Sequence, residues 1–74
     1  MSEVTIWTQG DTFNVTWSDS QLDFSGALPE GAEQRTTATG GSVRGIRSYA
    51  AVWAMLRRRE PAGYMWVNKP DAAN

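Results

Sequence analysis

Apolar and polar residues alternate from the start of the chain. Val4, Ile6 and Thr8 interleave with Glu3, Thr5 and Trp7, a period of two that predicts a half-buried strand rich in β-branched residues. Gln9-Gly10-Asp11 follows, and Phe13, Val15 and Trp17 then alternate with Thr12, Asn14, Thr16 and Ser18. Two alternating runs joined by a short turn with a glycine, which accepts positive φ, predict a β-hairpin. Ser18-Asp19-Ser20 reads as a second turn. Leu22, Phe24, Gly26 and Leu28 alternate with Asp23, Ser25 and Ala27, which predicts a third strand ending at Pro29-Glu30-Gly31. Residues 33–39 are rich in threonine and poor in apolar groups. They fit either a polar edge strand of weakly specified register or a loop.

The period changes after Gly40-Gly41. Ser42 is placed to cap a helix, its hydroxyl accepting from an otherwise unpaired backbone N–H. Ile46, Tyr49, Ala50, Trp53 and Leu56 recur at three- and four-residue steps and so line one helical face within Ser42–Arg59. Arg57, Arg58 and Arg59 close that helix, where positive charge suits the C-terminal end of the macrodipole. Pro61 and Gly63 break it, and Tyr64–Val67 reads as a last strand. A helix and a sheet with one apolar face each must lie against one another. The prediction is therefore an α+β fold: an antiparallel sheet of three to five strands with one helix packed on one face, in βββ(β)αβ order. Residues 1–69 form its single domain, and 70–74 a flexible C-terminal tail.

Composition narrows the chemistry. At 74 residues the chain holds one domain, small enough to leave much of its surface wet. It has no Cys, so neither a disulfide nor a thiolate site is available. It has no His, so the commonest metal ligand and acid–base group are missing too. The four tryptophans Trp7, Trp17, Trp53 and Trp66 are the expected substitute. Each can bury roughly 150–250 Å², at about 25 cal/mol per Å² a contribution of several kcal/mol as an upper figure, so some of them are expected in the core. No run is long and apolar enough to span a membrane, and no basic segment followed by an apolar one opens the chain. A cytoplasmic protein without a signal peptide is the expectation. Without such a signal the Asn14-Val15-Thr16 sequon carries little weight.

The net charge of −1 conceals a split. Residues 1–34 hold Glu3, Asp11, Asp19, Asp23, Glu30 and Glu33 and no cation, whereas all seven cations lie in residues 35–74 beside only Glu60 and Asp71. Such asymmetry points to an electrostatic partner or to attraction between the two halves. Asp19 and Asp23 are four apart across a turn, without the burial that would tune one as an acid, and solvated carboxylates are the favoured reading. Asp11, Asp19 and Asp23 lack the spacing of a cation-binding loop. Thr39–Gly45 has the glycines of an anion-binding helix entrance but not the Gly-Lys-Ser/Thr end of a P-loop, so a connector with a cap is its default.

Two surfaces compete for a partner. On a helix, Arg44, Arg47 and Arg58 lie opposite Ile46, Ala50 and Trp53; with Arg59 and Lys69 they suit phosphates, against the acidic pI of about 5.1. The acidic residues Asp11, Asp19, Asp23, Glu30 and Glu33 instead generate a field that steers the domain onto a basic surface. Trp7, on the outer sheet face beside Glu3, is an interface anchor for the same partner. The chain is thus expected to act by binding rather than catalysis, with no cofactor and no metal. Its first-choice partner is a protein, nucleic acid comes second, and homodimerisation is open.

In its Glu3–Leu28 strand set, single Ser42–Arg59 helix, closing Tyr64–Val67 strand and lopsided charge, the chain resembles small phage-encoded type I anti-CRISPR proteins. The resemblance covers nearly the whole chain. It implies binding to a subunit of a CRISPR surveillance complex in the cytoplasm of the host cell, blocking target DNA recognition. Acidic members of such families cover basic DNA-contacting surfaces, which makes Asp11, Asp19, Asp23, Glu30 and Glu33 the implied contacts. The Arg-rich segment departs from a uniformly acidic DNA mimic. A phage structural or assembly subunit that self-associates is the remaining expectation.

Overall fold

The alternating N-terminal runs become β1 (Ser2–Gln9) and β2 (Thr12–Trp17), as expected for a hairpin. In the computed structural model, which describes residues 2–59 and 64–68, they pair antiparallel from Val4↔Trp17 to Gln9↔Thr12. Gly10 takes φ +63° and Asp11 does not go positive, the pattern of a type II′ hairpin turn. Successive side chains point to opposite faces, so Val4, Ile6, Val15 and Trp17 share one face and Thr5, Trp7 and Thr16 the other.

β3 (Glu33–Thr37) and β4 (Gly40–Ile46) form a second hairpin, and β4 docks antiparallel on β2. The α-helix α1 (Tyr49–Arg59) leads into β5 (Tyr64–Asn68), which pairs parallel with β1. The sheet order is β3-β4-β2-β1-β5. The fold is α+β as predicted, with four antiparallel strands, a fifth added in parallel, and α1 packed against β2 and β4 on one face. Residues 33–37 resolve the choice left open by their composition: they are an edge strand.

The core lies between that face and its cover. Val4, Ile6, Val15, Trp17, Val43 and Ile46 come from the sheet, Val52, Met55 and Leu56 from the helix, and Leu22 and Phe24 from the segment 18–32. This segment is not the predicted third strand. Leu22–Leu28 is a chain of turns, with Ala27 N–H donating to the Phe24 carbonyl at 2.9 Å and Leu22 N–H to the Asp19 carbonyl at 3.2 Å. Leu22 and Phe24 are buried because a looping chain can also drop every second side chain into a core. Phe24 meets the Trp17 indole edge-on at 5.0 Å between centroids. Gly41, opposite Trp17 in the register, leaves room for that ring: a Cβ there would lie 2.7 Å from the indole Cζ2.

The helix begins later than predicted. Ser42 is not its cap but a residue of β4, and Ser48 caps α1 instead, its Oγ accepting from Ala51 N–H at 3.1 Å. Ile46 therefore lies on a strand, and the buried helical face is Val52, Met55 and Leu56, while Tyr49 and Ala50 are exposed. Ile46 ends β4 three residues before Tyr49 opens α1, so the step between them has the spacing of a helix without being one. Between β2 and β4 the register shifts from Phe13↔Ile46 to Val15↔Val43, so β4 carries one extra residue opposite Asn14. The bulge puts Val43 and Ile46 on one face at a three-residue step. Gly45 takes φ +83° there, a conformation that costs a side-chain-bearing residue dearly. The tail expected at 70–74 and the expected break at Pro61 and Gly63 lie outside the described residues.

Candidate functional site

One face of the sheet is covered by α1 and segment 18–32, and none of the described residues covers the other. Strand pairing arranges that open face in rows. One row runs Glu33, Arg44, Asn14, Trp7 across β3, β4, β2 and β1. The next runs Arg35, Ser42, Thr16, Thr5 and, on β5, Val67. Glu3 follows on β1 one row further.

Trp7 and Arg44 form the centre. They sit on the two neighbours of β2, and the Arg44 guanidinium carbon reaches to 5.8 Å from the Trp7 ring centroid, within the range of a cation–π contact. Between them Asn14 is only 1% exposed although it belongs to the open face. Both ends of its amide are engaged. Nδ2 donates to Gln9 Oε1 at 3.1 Å, and Oδ1 accepts from Gly45 N–H at 3.3 Å, which satisfies the bulge. The sequon asparagine is thus a structural residue. Trp7 itself is half-buried and Arg44 exposed. Beside them Glu33, Arg35 and Arg44 line a shallow depression. A second hollow, edged by Arg35, Thr37, Thr39, Ser42 and Ser18, lies at the opposite end of the same strands.

The structure does not gather the acidic residues into one patch. Asp11 is at the tip of the β1–β2 turn, Glu30 is exposed in the turn before β3, and Glu33 opens β3 on the sheet face. Asp19 and Asp23 build segment 18–32. Asp19 Oδ1 accepts from Gln21 N–H at 2.9 Å. Asp23 Oδ1 accepts from Ser25 N–H at 3.0 Å and Gln34 Nε2 at 2.6 Å, and Asp23 Oδ2 from Ser25 Oγ at 2.9 Å. Gln34 Oε1 in turn accepts from Phe24 N–H at 2.9 Å, which pins the segment to β3.

The Arg-lined helical face does not exist as predicted. Arg44 is on β4 and Arg47 in the link before α1; Arg58 and Arg59 are in the helix but their side chains, like all of Lys69, lie outside the described residues. Thr39–Gly45, read as a candidate anion-binding helix entrance, belongs to the β3–β4 turn and to β4, so no helix dipole points at it. What sequence reasoning missed is Arg35 and the pairing of Arg44 with Trp7. The alternation that put Trp7 outside also holds for Arg35, but only with residues 33–37 known to be a strand. Among the described residues no three His, Cys, Asp or Glu side chains come together as a metal site. No described helix is long and apolar enough to cross a membrane. The chain matches no protein-family model, no curated protein and no solved structure.

Proposed function

We propose that this chain is a non-enzymatic binding protein that docks a protein partner on the open face of its sheet, centred on Trp7 and Arg44. The observation that carries this reading is the Trp7–Arg44 contact at the middle of a β surface that none of the described residues covers. Tryptophan and arginine are the side chains most enriched where binding energy concentrates, and around them lie the neutral Thr5, Thr16 and Ser42. The charge on this face favours protein over nucleic acid. Glu3 and Glu33 offset Arg35 and Arg44, so the described face has no net positive field to release counterions from a phosphate backbone.

The inhibitor of a type I CRISPR surveillance complex implied by the resemblance is the most specific form of this proposal. In it Asp11, Glu3 and Glu33 supply acidic contacts to a basic subunit, and target DNA is excluded. Asp19 and Asp23 serve it only indirectly, because their carboxylates hold donors of their own loop and, for Asp23, of Gln34 on β3.

The test is capture from host lysate by the tagged chain, with and without nuclease, using the native sequence, W7A and R44E. A nuclease-resistant protein held by the native chain and lost by both variants supports the reading. Equal capture by all three moves the contact off this face. A signal that disappears with nuclease transfers the function to nucleic-acid binding.

A further inference from the structure

β3 is one of the two edge strands of the sheet, β5 being the other. Glu33, Arg35, Thr36 and Thr37 are all exposed, and among the described residues no strand pairs with its outer side. One side of its backbone N–H and C=O groups is therefore open to another strand. β3 lacks two of the usual protections of such an edge and keeps a third, its charged side chains. It contains no Pro, and its pairing with β4 runs from Glu33↔Arg44 to Thr37↔Gly40 without a shift, so no bulge twists it away. Thr36 and Thr37 are β-branched and favour extension.

The side chains select the occupant. Glu33 and Arg35 are the only charged residues of β3 and share the open face. In an antiparallel pair of two copies centred on Gln34, Glu33 of each copy stands opposite Arg35 of the other. Centred on Glu33 or on Arg35, like charges meet. One register is thus self-complementary, and opposite charges directly across a ladder stabilise it while like charges oppose it. Gln34, at the axis, points to the other face, where it is held by Phe24 N–H and Asp23.

We propose that two copies of this chain associate by antiparallel pairing of β3 with β3 about a twofold axis at Gln34, with reciprocal Glu33–Arg35 contacts. The two sheets become one, and the open face with its Trp7–Arg44 centre is doubled. This does not depend on that face being the docking surface for a foreign partner. In this register only residues 33–35 of each β3 face one another, far short of the roughly 20–30 residues a side of a standard stable interface, so the dimer is weak and forms with rising concentration.

The test is sedimentation equilibrium of the full chain at low salt, combined with amide hydrogen exchange. The expected mass rises from monomer toward dimer, with a dissociation constant on the order of 0.1–1 mM. E33R and R35E each weaken association by about tenfold or more, and the double exchange E33R/R35E restores it, because the register is charge-complementary again. Thermal melts of the three variants show that the fold survives. Exchange in the native chain slows with concentration at alternate amides of β3. A monomer mass that stays constant to about 1 mM overturns the proposal. So does a double exchange as weak as either single variant, or concentration-dependent protection confined to β5 or to the Trp7 face. A chain that stays monomeric yet binds an extended peptide at β3 assigns the edge to a foreign strand and overturns self-pairing.

Discussion

The two faces of the sheet are made from the same strands and do opposite things. On the inner face Val4, Ile6, Val15, Val43 and Ile46 are fully or almost fully buried, and their cover is built from a helix and a chain of turns. On the open face Thr5, Trp7, Thr16 and Ser42 are half-buried, and the only large aromatic side chain described there lies under a guanidinium rather than under apolar groups. The inner face is held by exclusion of water, which is indifferent to direction. The open face is held by a few directed contacts, the Asn14 amide above all. Stability should therefore reside on one side and recognition on the other.

The strongest way to break that division is F24A. Phe24 is fully buried and packs on Trp17 although it comes from a loop. Truncation costs about 3–5 kcal/mol, a large share of the roughly 0.05–0.15 kcal/mol per residue that a small domain holds. Urea denaturation of the variant should show it, and a loss below about 1 kcal/mol would mean that segment 18–32 is not part of the core. N14A comes next, with an expected loss of about 1–3 kcal/mol, because it strips the bulged, half-buried Gly45 N–H of its acceptor and removes a buried side chain. If its midpoint matches the native chain, the open face has no structural centre. S48A removes the cap of α1 and should cost about 1 kcal/mol, whereas S42A should not fray the helix; far-ultraviolet melts separate the two. The smallest effect belongs to R44A. An exposed cation–π contact contributes only about 0.5–1 kcal/mol, so its melting point should barely move while partner capture is lost. A variant that unfolds instead would make Arg44 a structural residue and erase the contrast between the faces.

Much of this arrangement is legible along the chain. The first hairpin is, because its period of two, its β-branched residues and its Gly turn are all local signals. The outward position of Trp7 follows from the same alternation. The segment Leu22–Leu28 misleads because burial of Leu22 and Phe24 depends on contact with Trp17 and Gln34, not on a ladder of its own. Ile46 misleads in the opposite sense: it ends β4 three residues before Tyr49 opens α1, so a strand residue joins the helical series and draws Arg44 and Arg47 onto a helical face that does not form.

Alternation and turn chemistry settled which residues of β1 and β2 face inward and that a helix follows the strands, whereas of the tryptophans expected in the core only Trp17 is buried among the described residues. The inward faces and the helix are consequences of side-chain chemistry over a few neighbouring residues. The order of the strands, the parallel addition of β5 to β1, the edge position of β3 and the meeting of Arg44 with Trp7 belong to the folded chain alone. Each joins residues far apart in sequence, and local periodicity carries no information about which distant strand a given strand will pair with.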